Sequence, residues 1–469
     1  MELVLLLDIG STYTKARVFD IEKQKLIASA QSLTTVWNDV NIGIGKTIKK
    51  LSVQGIDLDD IKKSLACSSA AGGLKLVVIG LVPNLTAEAA RRAALGAGAK
   101  VTGTYSYQLS KLEIKEIIEQ NPDLIVLSGG TDGGNSEVIL KNAELLAESC
   151  LSVPIIIAGN QKVAEKVREI LSDGQKEVYV TENVMAELEK LNVDPLRKTI
   201  RKVFLDKIIF AKGLNKTKKY IDHLIMPTPA AVMKSADIIA SVKREKYKEI
   251  MMIDIGGATT DVYSIASGEP KQRNVSMKGL EEPYLKRTVE GDLGMRYSAE
   301  SLLESAGKKE LQKYCDLKNE DEIDKYIKKV KGDIRYIAKN KRELKCDAAI
   351  ASCAAKKAVQ RHSGHIEKIY GAFGEALMQT GKDLTEVDLI IGTGGVLKYH
   401  QEADEILSYC FFDKSHPNIL APVSPEIIID RKYLLSSIGL MADYYPDLAK
   451  KIAQKYFNFN GGQKNESIK

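Results

Sequence analysis

The sequence predicts an α/β protein of two lobes, with a doubly wound α/β block set into the first. Three observations carry this. Strand-like apolar runs alternate with helical periodicity along nearly the whole chain, the mark of mostly parallel sheets covered by helices. A strand–glycine turn–strand element occurs twice, at residues 5–15 and again at 250–262. Between them, residues 67–183 run through consecutive β-α units, enough for a sheet of their own. At 469 residues the chain also exceeds what one hydrophobic core supports.

In chain order, residues 3–7, 16–20 and 28–34 read as an antiparallel meander, followed by a helix over 40–51. Residues 1–66 are therefore assigned to the first lobe. In the inserted block 67–183, strands at 76–82, 101–107, 124–127, 154–158 and 177–180 alternate with helices at 86–97, 110–120, 136–148 and 161–171. Ser110 caps one of these helices. Residues 184–249 look helical and charged, with a break near Pro195, and complete the first lobe. The second lobe is 250–444. Within it, 292–379 is rich in Lys, Glu and Ala at helical spacing with few strand signals. Residues 389–391 form a buried strand, and 433–441 a helix. The stretch 445–469 is expected to be a flexible tail, polar and glycine-containing beyond Phe457.

Bulk properties exclude several function classes. The 68 basic and 62 acidic side chains are dispersed and leave a net charge of +6, so nothing argues for nucleic acid. No apolar run is long enough to span a bilayer, and a strand pattern directly after Met1 leaves no room for a signal peptide. The expected location is the cytoplasm. Cys67, Cys150, Cys315, Cys346, Cys353 and Cys410 form no Cys-x-x-Cys pair and have no His at metal-finger spacing. They read as reduced thiols.

The repeated element carries the chemistry. In the first copy an apolar strand ends at Asp8, Gly10 follows, and Ser11, Thr12, Thr14 and Lys15 lead into the next strand. Such a turn can wrap a phosphate with backbone N–H groups, since Gly10 has no Cβ to block approach. The hydroxyls add donors and Lys15 a compact positive charge. Asp8 suits a hydrated Mg²⁺, which takes few protein ligands. The second copy repeats the logic with Asp254, Gly256, Gly257, Thr259, Thr260 and Asp261. Here Asp254 is the second candidate for the magnesium ion, and Asp261 joins Asp8 and Asp254 as a candidate catalytic carboxylate. Either copy alone also fits an ordinary hairpin turn. Two copies make coincidence a poor explanation. A third glycine-rich turn, Gly392-Thr393-Gly394-Gly395, ends a buried strand and would let an adenine and ribose lie flat on backbone.

The order of these elements resembles the actin-like, sugar-kinase and heat-shock-chaperone ATPase superfamily, built from duplicated ribonuclease H-like domains. That resemblance implies phosphate loop one at residues 8–15, connecting helix one at 227–233, phosphate loop two at 254–261, the adenosine loop at 392–395 and connecting helix two at 436–441. ATP and Mg²⁺ are the implied cofactors. The heat-shock chaperones carry a glutamate that assists hydrolysis where this chain has Met226. Slow hydrolysis, without an identifiable base, is what this departure implies.

Two further glycine-rich stretches, Ser68–Lys75 and Leu127–Asn135, lie in the inserted block, and Glu290–Arg296 precedes the helical region. As turns they need positive φ; at strand ends of an open sheet they are also places where a second ligand could bind. With the loops above, these segments resemble the glutamate (methylaspartate) mutase accessory protein family across almost the whole chain. The resemblance implies an ATP-dependent reactivating chaperone, a slow Mg-dependent ATPase, whose partner is an adenosylcobalamin-dependent mutase subunit. It is compatible with a homo-oligomer or a small partner subunit, and implies neither nucleic acid nor membrane. A small-molecule kinase of the sugar-kinase type, an actin-like scaffold and an activator of a radical dehydratase are the alternatives. The scattered cysteines speak against the last.

Overall fold

The computed structural model describes residues 2–35, 39–69, 74–208, 220–243, 245–315, 321–371 and 374–457. Its amino-terminal sheet runs, in spatial order, Lys25–Leu33, Tyr13–Asp20, Leu3–Ile9, Ile61–Ser68, His223–Pro227. Tyr13–Asp20 is antiparallel to both neighbours and the remaining pairs are parallel. The carboxyl-terminal sheet repeats this arrangement as Leu285–Glu290, Thr260–Ile265, Ile250–Ile255, Leu389–Thr393, Glu426–Ile429, with Thr260–Ile265 the antiparallel member. The same strand order and directions occur twice. Duplication is thus visible in topology as well as in the loops.

Leu3–Ile9 is apolar at nearly every position because both its faces are covered. Leu3, Leu5, Leu7 and Ile9 pack with Ile44, Ile48 and Leu51 of the helix Val40–Ser52. Val4 and Leu6 pack with Ala230, Ala231, Leu435 and Ile438. Those last residues belong to the helices Thr228–Lys243 and Leu435–Met441, which also pack with Ile250, Met252, Leu389 and Ile391 of the second sheet. The helix pair therefore lies between the two sheets. At its crossing, a β-carbon on Gly439 would stand 1.8 Å from the Ala231 carbonyl oxygen, so only glycine permits this approach.

The chain leaves the first lobe after Ile61–Ser68 and rejoins it at His223–Pro227. In between it forms a parallel sheet in the order Lys100–Ser106, Lys75–Gly80, Leu124–Leu127, Ile155–Ile157, Val178–Val180. This is a doubly wound arrangement with its own core around Val77, Ile79, Ile125 and Ile157. Ser110 forms a reciprocal capping box with Glu113. Its Gly129, Gly130 and Gly133 adopt positive φ. The Asn160 and Asn183 side chains bind the backbone of that loop at Gly133, Gly134 and Gly130, so the loop is a braced turn.

Four sequence expectations are corrected. Pro195 sits in the first turn of the helix Val193–Val203, where its missing N–H costs nothing, and does not break it. Residues 365–380, expected to be helical, form a hairpin of His365–Gly371 and Gly374–Thr380 that pairs with Val275–Lys278. Its exposed Glu and Lys residues hid the strand period. Residues 446–456 are no tail but a helix whose Leu448, Ala449 and Ile452 bury against the helix pair. Finally, the region 184–249 contains the strand His223–Pro227 as well as helices. The expectation of a frayed end at 458–469 and the glycine stretch at 70–73 lie outside the described residues.

Candidate functional site

The two repeated turns have the same backbone. The Gly10 N–H donates to Tyr13 O at 3.0 Å, and the Gly256 N–H donates to Thr259 O at 2.9 Å. A β-carbon would meet those same carbonyl oxygens at 2.8 Å on Gly10 and 2.9 Å on Gly256. Register matches too: Asp8 faces Lys15 across its hairpin and Asp254 faces Asp261 across the other.

The turns meet in space. Thr12 Oγ1 lies 3.7 Å from the place where a β-carbon on Gly257 would stand. Around loop two, the N–H groups of Met295, Arg296 and Tyr297 donate to the carbonyls of Gly256 and Gly257. In a trans peptide N–H and C=O point opposite ways, so the Gly257 and Ala258 amides are turned away from that segment, as a phosphate cradle requires. Arg296 is fixed by two bonds of 3.1 Å to the Asp347 carboxylate. The turn Glu290–Arg296 thus braces loop two from behind.

Asp8 sits where the helix pair begins. It accepts from Thr228 Oγ1 at 2.8 Å, from Ser436 Oγ at 3.3 Å and from the Cys67 thiol at 3.7 Å. Burial pushes the Cys67 thiol well up, so it is a protonated donor. Lys15 Nζ is 3.8 Å from Asp8 and 3.9 Å from the centroid of the Tyr433 ring, which fixes the ammonium in the cleft. Asp430 caps the second helix of the pair by accepting from the Leu434 and Leu435 amides at 2.9 and 3.1 Å.

Asp254 and Asp261 differ. Asp254 lies at the partly exposed floor of the cleft, and its carboxyl is pushed up to about 7 by burial first, then by the charges of Asp261, Asp8 and Asp430, against the opposing pull of Lys15. Carboxylates crowded this way invite a cation. Asp261 is committed: Arg287 Nε and Nη2 bind one of its oxygens at 3.0 and 2.6 Å, and Thr259 Oγ1 donates to the other at 3.0 Å. Its catalytic assignment from the sequence gives way to a supporting one, because both oxygens are occupied.

Three predicted ligands are also corrected. Thr14 and Thr260 stand at matching positions one residue before Lys15 and Asp261, so they point to the opposite face of their strands. Both are fully buried, and their hydroxyls are spent on Thr34 Oγ1 at 2.9 Å and on Leu293 O at 2.6 Å. Gly392 is buried against Leu397 and Leu407 and cannot touch a ligand. Thr393 is the parallel neighbour of Asp254. Gly394, at φ +114°, packs so closely on Ile255 that a β-carbon would stand 2.2 Å from its carbonyl oxygen, and Gly395 is exposed beside the Tyr433 hydroxyl. Ser11 and Thr12 are partly exposed in turn one. The sequence reading missed Thr228, Ser436, Tyr433, Asp430 and Arg287 as site residues. Thr228 and Ser436 lie within the segments matched to the two connecting helices, but neither was assigned to the site.

Among the described residues no group of three or more His, Cys, Asp or Glu side chains forms a ready-made metal cage. A magnesium ion that keeps its waters and leans on one or two carboxylates and on phosphate fits Asp8 and Asp254 without one. No helix of the described residues is long and apolar enough to cross a membrane.

Comparison with known proteins gives a family. The model of a family described as "MutL protein" matches residues 4–457. "Protein MutL" of Clostridium tetanomorphum is 48% identical over 461 residues, covering 97% of this chain and 99% of that protein. Among solved structures, nucleotide-free acetone carboxylase aligns at 14% identity with a TM-score of 0.40, covering 94% of this chain and 70% of its own. Component A of (R)-2-hydroxyglutaryl-CoA dehydratase from Acidaminococcus fermentans aligns at 11% identity with a TM-score of 0.30, covering 97% and 100%.

Proposed function

Because the chain belongs to the MutL protein family, we propose that it is an ATP-dependent accessory protein that reactivates an adenosylcobalamin-dependent mutase, glutamate mutase or a related aminomutase. The observation that supports this most is the meeting of Thr12 with Gly257, which gives one cleft two matching glycine turns. Gly10, Ser11 and Thr12 with Lys15, and Gly256, Gly257 and Thr259, would hold the phosphates, while Thr393, Gly394 and Gly395 line the adenosine side. Asp8 and Asp254 would hold hydrated Mg²⁺. Magnesium triphosphate, when bound, would supply the charge that both turns face.

The chain's own residues then couple this charge to shape. Lys15, held over Tyr433, offers an anion a fixed partner. Asp8 is bonded to one residue at the start of each crossing helix, Thr228 and Ser436, so a change at the phosphates reaches the helix pair between the lobes. Differential contact with the terminal phosphate biases the lobes between closed and open. Met226 is buried opposite Cys67 and can neither accept a proton nor orient water, which fits slow turnover suited to a switch. The test is capture from native cell extract with and without Mg²⁺-ATP. Nucleotide-dependent recovery of an adenosylcobalamin mutase subunit is the expected result; nucleotide-independent recovery, or none, would overturn the reading.

A further inference from the structure

We propose that Arg287 and the turn Leu95–Ala99 form the link through which the nucleotide cleft controls the middle domain, the parallel-sheet block between Ile61–Ser68 and His223–Pro227. This rests on the function proposed above and names the residues that would carry its motion. Arg287 lies on Leu285–Glu290, the edge strand of the second lobe, and its guanidinium is almost entirely buried. Two of its nitrogens bind Asp261 on phosphate loop two. The third, Nη1, donates to the carbonyls of Leu95 at 3.1 Å and Ala99 at 2.9 Å. The Leu95 carbonyl lies in the last turn of the helix Glu88–Gly96 of the middle domain and the Ala99 carbonyl just beyond it, where the helix dipole favours a cation.

The same turn also rests on the first lobe. Gly98, at φ +93°, is so close to the start of Thr228–Lys243 that a β-carbon would stand 3.0 Å from Pro227 Cβ and 3.1 Å from the Ala230 amide nitrogen. Next to Pro227 is Thr228, which holds Asp8. One turn of the middle domain therefore touches Arg287, which holds Asp261, and the neighbours of Thr228, which holds Asp8, and it leads directly into the edge strand Lys100–Ser106. If the lobes part, it cannot keep both anchors. The two bonds from Arg287 to Asp261 join opposite charges, whereas those to Leu95 and Ala99 reach neutral carbonyls, so the carbonyl bonds release first. Opening of the cleft frees the middle domain while loop two keeps its arginine.

The test is hydrogen exchange by mass spectrometry on the full chain, with and without saturating Mg²⁺-ATP, alongside calorimetry of ATP binding. In the parent, amides of 95–106 should exchange at least about threefold more slowly with ATP, while the strand Thr260–Ile265 beyond the loop changes less. Arg287→Lys keeps a charge beside Asp261 but lacks the fork to reach both partners, so at saturating ATP it should lose this difference. Arg287→Gln should lose it too. A parent that binds ATP without slower exchange at 95–106 overturns the link, whether or not the variants fold. A parent-like difference in Arg287→Lys does the same. Absence of ATP binding in the parent instead overturns the function on which the link rests.

Discussion

Thr12 Oγ1 and Gly257 face each other at 3.7 Å across the cleft, measured to the β-carbon that Gly257 lacks, although 245 positions separate them in the chain. Two turns built alike are thus brought to one place by the packing of two sheets on a shared helix pair.

Gly256→Ala should weaken Mg²⁺-ATP binding by tenfold or more, a loss of about 1.4 kcal/mol. The added methyl would lie 2.9 Å from the Thr259 carbonyl oxygen, so the turn must open. Gly10→Ala should behave alike, its methyl meeting Tyr13 O at 2.8 Å. Calorimetry giving parent affinity for both variants would separate these turns from nucleotide binding.

Asp254→Asn should stabilise the nucleotide-free protein and abolish Mg²⁺-ATP binding. The folded carboxyl is raised to about 7 from 3.8, chiefly by burial and by Asp261. Between those values the folded state holds more proton than the unfolded state, so stability falls as pH rises through that window. Above pH 7 the substitution should gain on the order of 2–4 kcal/mol in urea unfolding. A destabilised variant, or one that still binds Mg²⁺-ATP, would contradict this.

Lys382→Met should also stabilise, with the opposite pH trend. Lys382 is fully buried in the second lobe, where its ammonium donates to Tyr284 O at 2.8 Å. Burial first, then Lys286, lowers it to about 7 from 10.5. The unfolded chain holds more proton between these values, so the cost of the lysine is full at pH 7 and below and fades toward pH 10. The gain on substitution should be a few kcal/mol at pH 7 and near zero at pH 10. A gain that does not change with pH would show the lysine to be charged in the folded state throughout.

Gly439→Ala should cost roughly 2–4 kcal/mol, since its methyl would stand 1.8 Å from the Ala231 carbonyl oxygen at the crossing of the two helices. Thermal and urea midpoints should both fall. A neutral result would mean that the helices separate freely at this point.

Much was legible locally. A four-residue turn closed by Gly10 N–H to Tyr13 O depends on neighbours in sequence, so its residues announce it, and the run from Leu3 to Ile9 announces a strand covered on both faces. Strand parity sets Thr14 and Thr260 on the face away from Lys15 and Asp261, so their hydroxyls bond within the core although their residue type suits a ligand. The hairpin within 365–380 was hidden because its exposed side chains carry no apolar alternation.

By itself, the sequence determined two lobes, two matching glycine turns and the parallel block between them, because these follow from periodicity and from contacts a few residues apart. Only the tertiary structure decided what each aspartate does. Asp8 meets Thr228 and Ser436 from 220 and 428 residues away, and Asp261 meets Arg287 from 26. A carboxylate's role depends on the charges and donors that folding sets against it, and no spacing along the chain encodes those.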